Sequence, residues 1–148
     1  MAKLELEMLR QLMEELIPFN RHLGIKVTSL HEGFTRLELP FRPEFVGDPT
    51  RPALHGGLLS TLADTAGGMA IWTTGCDDRT RVSTIDLRVD YLRPGRLTTL
   101  VAEGQVVRAG NRVGVADVRL FHPDAPDATV ATGKGVYNIK VIKPKGDP

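Results

Sequence analysis

Two features of the sequence have the residue types and spacing to do chemistry together. The first is His55-Gly56-Gly57, which opens a long apolar run, HGGLLSTLADTAGGMAIWT, over residues 55–73. If that run is a helix, Gly56 and Gly57 lie in its first turn, where backbone N–H groups have no intrahelical acceptor and the dipole is positive. With no side chain obstructing approach, such amides can polarise a carbonyl or hold an oxyanion. Equally, two glycines there can be no more than a turn leading into the helix. The second feature is Asp64, mid-run among Ala63 and Ala66. A carboxylate in apolar surroundings is costly unless it has hydrogen-bond donors or is kept for its reactivity, as a nucleophile or general base. His55, at the helix mouth, could serve as a base; it could also bond nearby backbone and leave the polarising to the Gly56 amide.

Within one chain these groups do not meet. Eight residues separate Gly56 from Asp64, which at 1.5 Å rise is about 12 Å along a helix. Reacting atoms need to approach to ~3 to 3.5 Å. Two such helices running antiparallel about a twofold axis would bring the N-terminus of one beside the middle of the other, giving two equivalent sites per dimer.

The elements that must position these residues can be read from periodicity. Leu9, Leu12, Met13, Leu16 and Ile17 recur at helical spacing, which predicts an N-terminal packing helix over 1–18 ended by Pro18. Ile25 and Val27, a turn at Glu32-Gly33, then Leu37 and Leu39 predict a hairpin. Residues 40–54 hold Pro40, Pro43, Pro49 and Pro52 and read as a loop. The run 55–73 is apolar on nearly every side and should be buried all round, its Gly67-Gly68 pair compensated by close approach of another backbone. Four strand patterns follow the polar loop 74–80 as an antiparallel meander. The first has Ile85, Leu87, Val89 and Tyr91 alternating with Thr84, Asp86, Arg88 and Asp90; Pro94-Gly95 turns it back into 96–108, Gly110-Asn111 turns that into 112–122, and the loop PDAPDA leads to a last strand at about 129–141. Small residues on these strands, Ala102, Gly104, Gly114, Ala116, Ala131, Gly133 and Gly135, would let a curved sheet wrap the helix. The fold class is α+β: a curved antiparallel sheet around one central helix, in a single domain over 1–148.

The chain has 148 residues, enough for one domain, and its 19 basic and 18 acidic residues give a net charge of +1. That balance lacks the overall basic footprint of a nucleic-acid binder. The N-terminal charges interrupt any secretion-signal core, and no run approaches a membrane span, so neither a nucleic acid nor a membrane is an expected partner. Cys76 is the single cysteine, which excludes an intrachain disulfide and fits a reducing, cytoplasmic setting. The acids beside it, Asp77 and Asp78, would raise its thiol pKa and speak against a cysteine nucleophile. No histidine pair at ligand spacing and no nucleotide-binding glycine fingerprint is found, so no metal or nucleotide cofactor is expected.

A sheet wrapped on a helix is the hotdog description. Leu54-His55-Gly56-Gly57, Asp64 nine residues after the histidine, and the strand ending Tyr91-Leu92-Arg93-Pro94 resemble the hotdog acyl-CoA thioesterases of the phenylacetic-acid-degradation (PaaI-like) branch. The resemblance covers about residues 20–140. It implies an acyl-CoA thioesterase in which Asp64 attacks the thioester carbon or activates water, the Gly56 amide polarises the carbonyl, and His55 mainly shapes the loop with Gly57 beside it. It also implies a homodimer with shared sites, sheets joined edge to edge, often as a dimer of dimers. Coenzyme A would be part of the substrate and not a separate cofactor.

Two positions depart from the pattern. Relatives often place an Asn or Gln shortly before the histidine, where this chain has Gly47-Asp48-Pro49-Thr50-Arg51-Pro52; Asp48 is the nearest polar substitute. Relatives also aim a hydroxyl from the following strand at the carboxylate, for which Thr84 and its neighbour Ser83 are both available, facing opposite ways. Arg93, Arg108 and Arg112 are candidates for coenzyme A phosphates or ordinary surface arginines near turns. Two alternative functions remain open on the sequence: a hotdog hydratase or dehydratase, and a non-catalytic acyl-CoA-binding hotdog protein.

Overall fold

The computed structural model describes residues 5–142. The N-terminal segment is a helix α1 (Leu6–Gln11), a π-helical turn (Leu12–Leu16) closed by the Ile17 N–H on the Leu12 carbonyl at 3.0 Å, and a second helix α2 (Pro18–Leu23). Residues 1–4 of the expected helix lie outside the described residues. Pro18 therefore does more than end a helix. Ile17 turns extended before it, and Pro18 starts α2 at the first helical position, where its missing N–H costs nothing. The π turn also rotates the apolar stripe: Leu9 and Met13 are buried, Leu12 and Ile17 pack partly on the core, and Leu16 is 63% exposed.

The strands are β1 (Lys26–His31), β2 (Phe34–Leu39), β3 (Val46–Asp48), β4 (Ala53–Leu54), β5 (Thr80–Tyr91), β6 (Leu100–Ala109), β7 (Val113–Phe121) and β8 (Ala131–Val141). Six of them form one antiparallel sheet in the order β1-β2-β6-β7-β8-β5, and β3 and β4 form a small ribbon inside the proline-rich loop. The expected meander holds for β6, β7 and β8 alone: after Pro94-Gly95 the chain does not turn β5 back onto β6 but crosses to the β2 edge, and β5 pairs with β8. The β1–β2 turn uses Gly33 at φ +76°, a conformation that favours glycine. The outer edge of β1 is covered by the N-terminal segment: Glu14 accepts the Val27 N–H at 2.7 Å and Arg10 donates to the Val27 carbonyl. Those two side chains satisfy an edge that would otherwise invite another strand.

The central helix α3 (Gly56–Trp72) lies across the sheet, with His55 as its N-cap and Thr73 as its C-cap. Leu59, Leu62, Ala63 and Ala66 meet Leu37, Leu39, Leu100, Ala102 and Leu120 in one core. The expected small residues do set the approach. A Cβ on Gly104 would stand 2.4 Å from the Ala66 carbonyl, so helix backbone and strand touch there.

Two expectations about α3 are corrected. It is not buried all round: Ser60, Thr61, Asp64, Thr65 and Gly68 form a polar, half-exposed stripe at helical spacing. The Thr61 and Thr65 hydroxyls bond carbonyls one turn back, at 2.9 and 2.8 Å, which lets them sit in a helix that reads as apolar overall. The Gly67-Gly68 pair is compensated by a side chain and not by another backbone. The side chain of Tyr137 fills the space where Cβ atoms would stand at Gly67 and Gly135, and its ring lies 3.3 Å from that point at Gly68.

Candidate active site

Asp64 faces β5 from the polar stripe of α3, and Thr84 Oγ1 donates to its Oδ1 at 2.8 Å. The structure thus chooses Thr84 over Ser83. The reason is a β-bulge: pairing with β8 runs Thr84↔Tyr137 and then Asp86↔Val136, so Ile85 is the extra residue. Before the bulge Val82 and Thr84 point to the helix; after it the parity changes and Leu87, Val89 and Tyr91 do. Strict alternation would have set Thr84 against Tyr91. Ile85 is left outward and 58% exposed.

Tyr137 supports the same carboxylate residue from behind. Its hydroxyl donates to the Asp64 backbone carbonyl at 3.1 Å. Burial, followed by the nearby Asp64 charge, pushes the Tyr137 pKa far up, so it remains a neutral donor.

At the other end of α3, the His55 side chain accepts the Gly57 N–H on Nδ1 at 2.9 Å. That bond makes His55 a capping group and removes the Gly57 amide from any role as a free donor. The Gly56 N–H, one position earlier, has no intrahelical acceptor and stays the available first-turn amide. Tyr91 secures this corner: its hydroxyl donates to the Gly56 carbonyl at 3.2 Å and shares a hydrogen bond with Ser60. Gly56, Tyr91 and Arg93 line one cleft of about 290 Å³. Arg93 also donates to the Thr129 carbonyl at 2.6 Å.

The remaining residues singled out in the sequence lie apart. Asp48 closes its own loop, accepting from the Thr50 hydroxyl at 2.6 Å, the Thr50 N–H at 2.8 Å and Arg51 at 3.0 Å. The Thr50 bonds first, then Arg51, hold its carboxyl below the usual carboxylate range. Arg108 and Arg112 flank a hairpin whose tip, Gly110-Asn111, shares a cleft with Gly75 and Cys76 just past the C-terminal end of α3, away from Gly56. Cys76 is buried, and burial together with Asp77 raises its thiol pKa. Among the described residues no cluster of three His, Cys, Asp or Glu side chains could hold a metal ion, and no helix is long and apolar enough to cross a membrane.

One feature escaped the sequence entirely. Asp64 and Thr84 stand on the wall of a cavity of about 240 Å³, most of it apolar, whose opposite wall is the N-terminal segment with Leu12, Met13, Ile17 and Asn20. Reading that segment as a packing helix concealed its second face. Asn20 stands beside Arg21 and His22, so nothing local in the sequence marks it as the polar residue that is buried, at 5% exposure.

Residues 52–128 match the family model described as Thioesterase superfamily. The chain is 35% identical to the medium/long-chain acyl-CoA thioesterase YigI of Salmonella typhimurium, over 93% of this chain and 96% of that one. It is 32% identical to the acyl-coenzyme A thioesterase PaaI of Escherichia coli, over 76% of each. Among solved structures, a Shewanella oneidensis protein related to the thioesterase superfamily superposes with a TM-score of 0.80 at 30% identity, covering 91% of this chain and 95% of that one. The Escherichia coli PaaI structure gives 0.72 at 28% identity, covering 89% of this chain and 95% of that one.

Proposed function

Because the chain belongs to the thioesterase superfamily, we propose that it hydrolyses acyl-CoA thioesters through Asp64 of one chain and the Gly56 amide of another. The reaction is acyl-S-CoA plus water to free acid and coenzyme A. The observation that carries this reading is the Asp64 carboxylate, held by Thr84 at 2.8 Å on the wall of a mostly apolar cavity. A carboxylate so placed can take a proton from water as it attacks the thioester carbon, or attack that carbon itself, and the Thr84 hydroxyl keeps it aimed. The developing oxyanion needs a preorganised donor, and the Gly56 N–H at the positive end of a 17-residue helix is suited to that task. Coenzyme A leaves as the thiol, so the chain's own residues, water and substrate complete the reaction. Arg93, in the cleft of Gly56, is the arginine best placed for a coenzyme A phosphate.

The separation of Gly56 and Asp64, about 12 Å along one helix, requires a second copy of the chain. Strand β5 supports such pairing. It is the last strand of the sheet, 12 residues long, with one edge unpaired among the described residues and Ile85, Tyr91 and Leu92 exposed on or beside it. A twofold pairing of β5 edges would satisfy both backbones and cover the polar stripe of α3.

The test of the catalytic assignment is Asp64→Asn, assayed by thiol release on a panel of acyl-CoAs. The swap keeps the shape and the Thr84 partner while removing the base or nucleophile, so turnover should vanish with folding and assembly intact. Hydrolysis within a few-fold of the unsubstituted protein would sink the assignment.

A further inference from the structure

We propose that the cavity beside Asp64 receives the acyl chain and that the N-terminal segment, as its far wall, limits that chain to medium length. The proposal rests on Asp64 as the reacting carboxylate, since a thioester carbonyl placed there would leave the chain this cavity to enter. The part of the cavity that one chain forms, about 240 Å³, has room for about eight methylene-sized groups at about 30 Å³ for a water-sized group. Met69 and Trp72 of α3 line it, as do Leu12, Met13 and Ile17 of the N-terminal segment.

That far wall is fixed, not loosely laid. Glu14 and Arg10, on the same segment, are bonded to the N–H and carbonyl of Val27, and Glu14 also pairs with Lys26 at 3.1 Å. The π-helical turn begins with Leu12 and Met13, and Met13 stands one helical turn beyond the buried Leu9, on the same face.

Asn20 gives the wall a polar stop. Asn20 is 5% exposed, and among the described residues its side chain has one hydrogen bond, a weak one from Nδ2 to the Met13 sulfur at 3.8 Å. The Oδ1 acceptor keeps its capacity for water in the cavity. An alkyl chain long enough to cover Asn20 would displace that water and give no hydrogen bond in return, which disfavours longer chains. Shorter chains leave the amide hydrated.

The experiment is kcat/KM on straight-chain acyl-CoAs from butanoyl to hexadecanoyl, with the unsubstituted protein, Asn20→Leu and Leu12→Trp. Leucine has nearly the shape of asparagine without its polar atoms; tryptophan adds bulk at a partly buried position. The unsubstituted protein should peak at octanoyl or decanoyl. Asn20→Leu should move the peak to longer chains by two carbons or more, with dodecanoyl-CoA improved about tenfold, and Leu12→Trp should move it to shorter ones. A peak at hexadecanoyl in the unsubstituted protein, or one length profile shared by all three folded proteins, overturns the proposal. Failure of the carboxylate assignment looks different: Asp64→Asn would then keep its activity at every length, whatever the wall variants do.

Discussion

The Thr84 hydroxyl reaches across from the edge strand to the middle of the central helix and donates to the Asp64 carboxylate at 2.8 Å. This bond exists because Ile85 is an extra residue in β5, which turns Thr84 and Tyr91 to the same face although they stand seven positions apart. One irregularity in the strand thus serves both ends of α3. Thr84 holds the carboxylate, and Tyr91 holds the helix mouth at Gly56.

Removing that hydroxyl should impair turnover without removing it. A hydrogen bond to a charged group contributes about 1.5 to 3 kcal/mol, so Thr84→Val should lower kcat by roughly ten- to a hundredfold if the bond strengthens toward the transition state. Thr84→Ser keeps the donor and should stay within a few-fold. Steady-state kinetics of the two variants checks this; equal loss in both would mean that the methyl group, and not the bond, matters.

The bulge also explains what the sequence could and could not tell. Helical and period-two patterns located the central helix to within a residue at each end, the hairpin and the later strands, because burial imposes those periods directly. Thr84 and Ser83 were left tied, since a bulge changes strand parity without leaving a mark in alternating hydrophobicity. The polar stripe of α3 was hidden because its threonines satisfy themselves on the helix backbone. The cavity wall was hidden for another reason: the helix begun by Pro18 redirects residues that a regular helix would have placed elsewhere. Contacts between helix and sheet, such as Tyr137 against Gly67, depend on how the two elements pack, which no local pattern encodes.

His55 separates a capping role from a catalytic one. Its Nδ1 accepts the Gly57 N–H, a task that an asparagine side chain can also perform at an N-cap. His55→Asn should keep most of the activity, while His55→Ala should lose about 1 kcal/mol of stability and some activity with it. Thermal melts and kinetics on both variants test this. An inactive but fully stable His55→Asn would make the ring a participant in the reaction.

Glu14 ties the N-terminal segment to β1, and its titration should be visible in stability. Burial acts against its charged form, but the Val27 N–H and Lys26 outweigh burial and hold its pKa below the ordinary 4.5. A carboxyl whose folded pKa is depressed contributes stability above its unfolded pKa and loses it as pH falls through the folded value. The melting temperature of the unsubstituted protein should therefore exceed that of Glu14→Gln at pH 7, and the gap should close on acidification below the ordinary carboxylate range. A gap independent of pH would mean that the Glu14 charge does not hold the segment.

The measurement closest to the central claim, a site shared between two chains, is complementation by mixed dimers. Gly56→Val puts a branched side chain at the helix mouth, against the Tyr91 ring that already stands 3.4 Å from where a Cβ would be; Asp64→Asn removes the carboxylate. Each parent should be inactive. Dissociated and reassembled together, they form heterodimers in which one of the two sites pairs an intact Gly56 with an intact Asp64 from the other chain, so thiol release should return to a substantial fraction of one site's activity. Heterodimers verified by mass that stay as inactive as either parent would contradict the shared site and the antiparallel pairing of α3 that it requires.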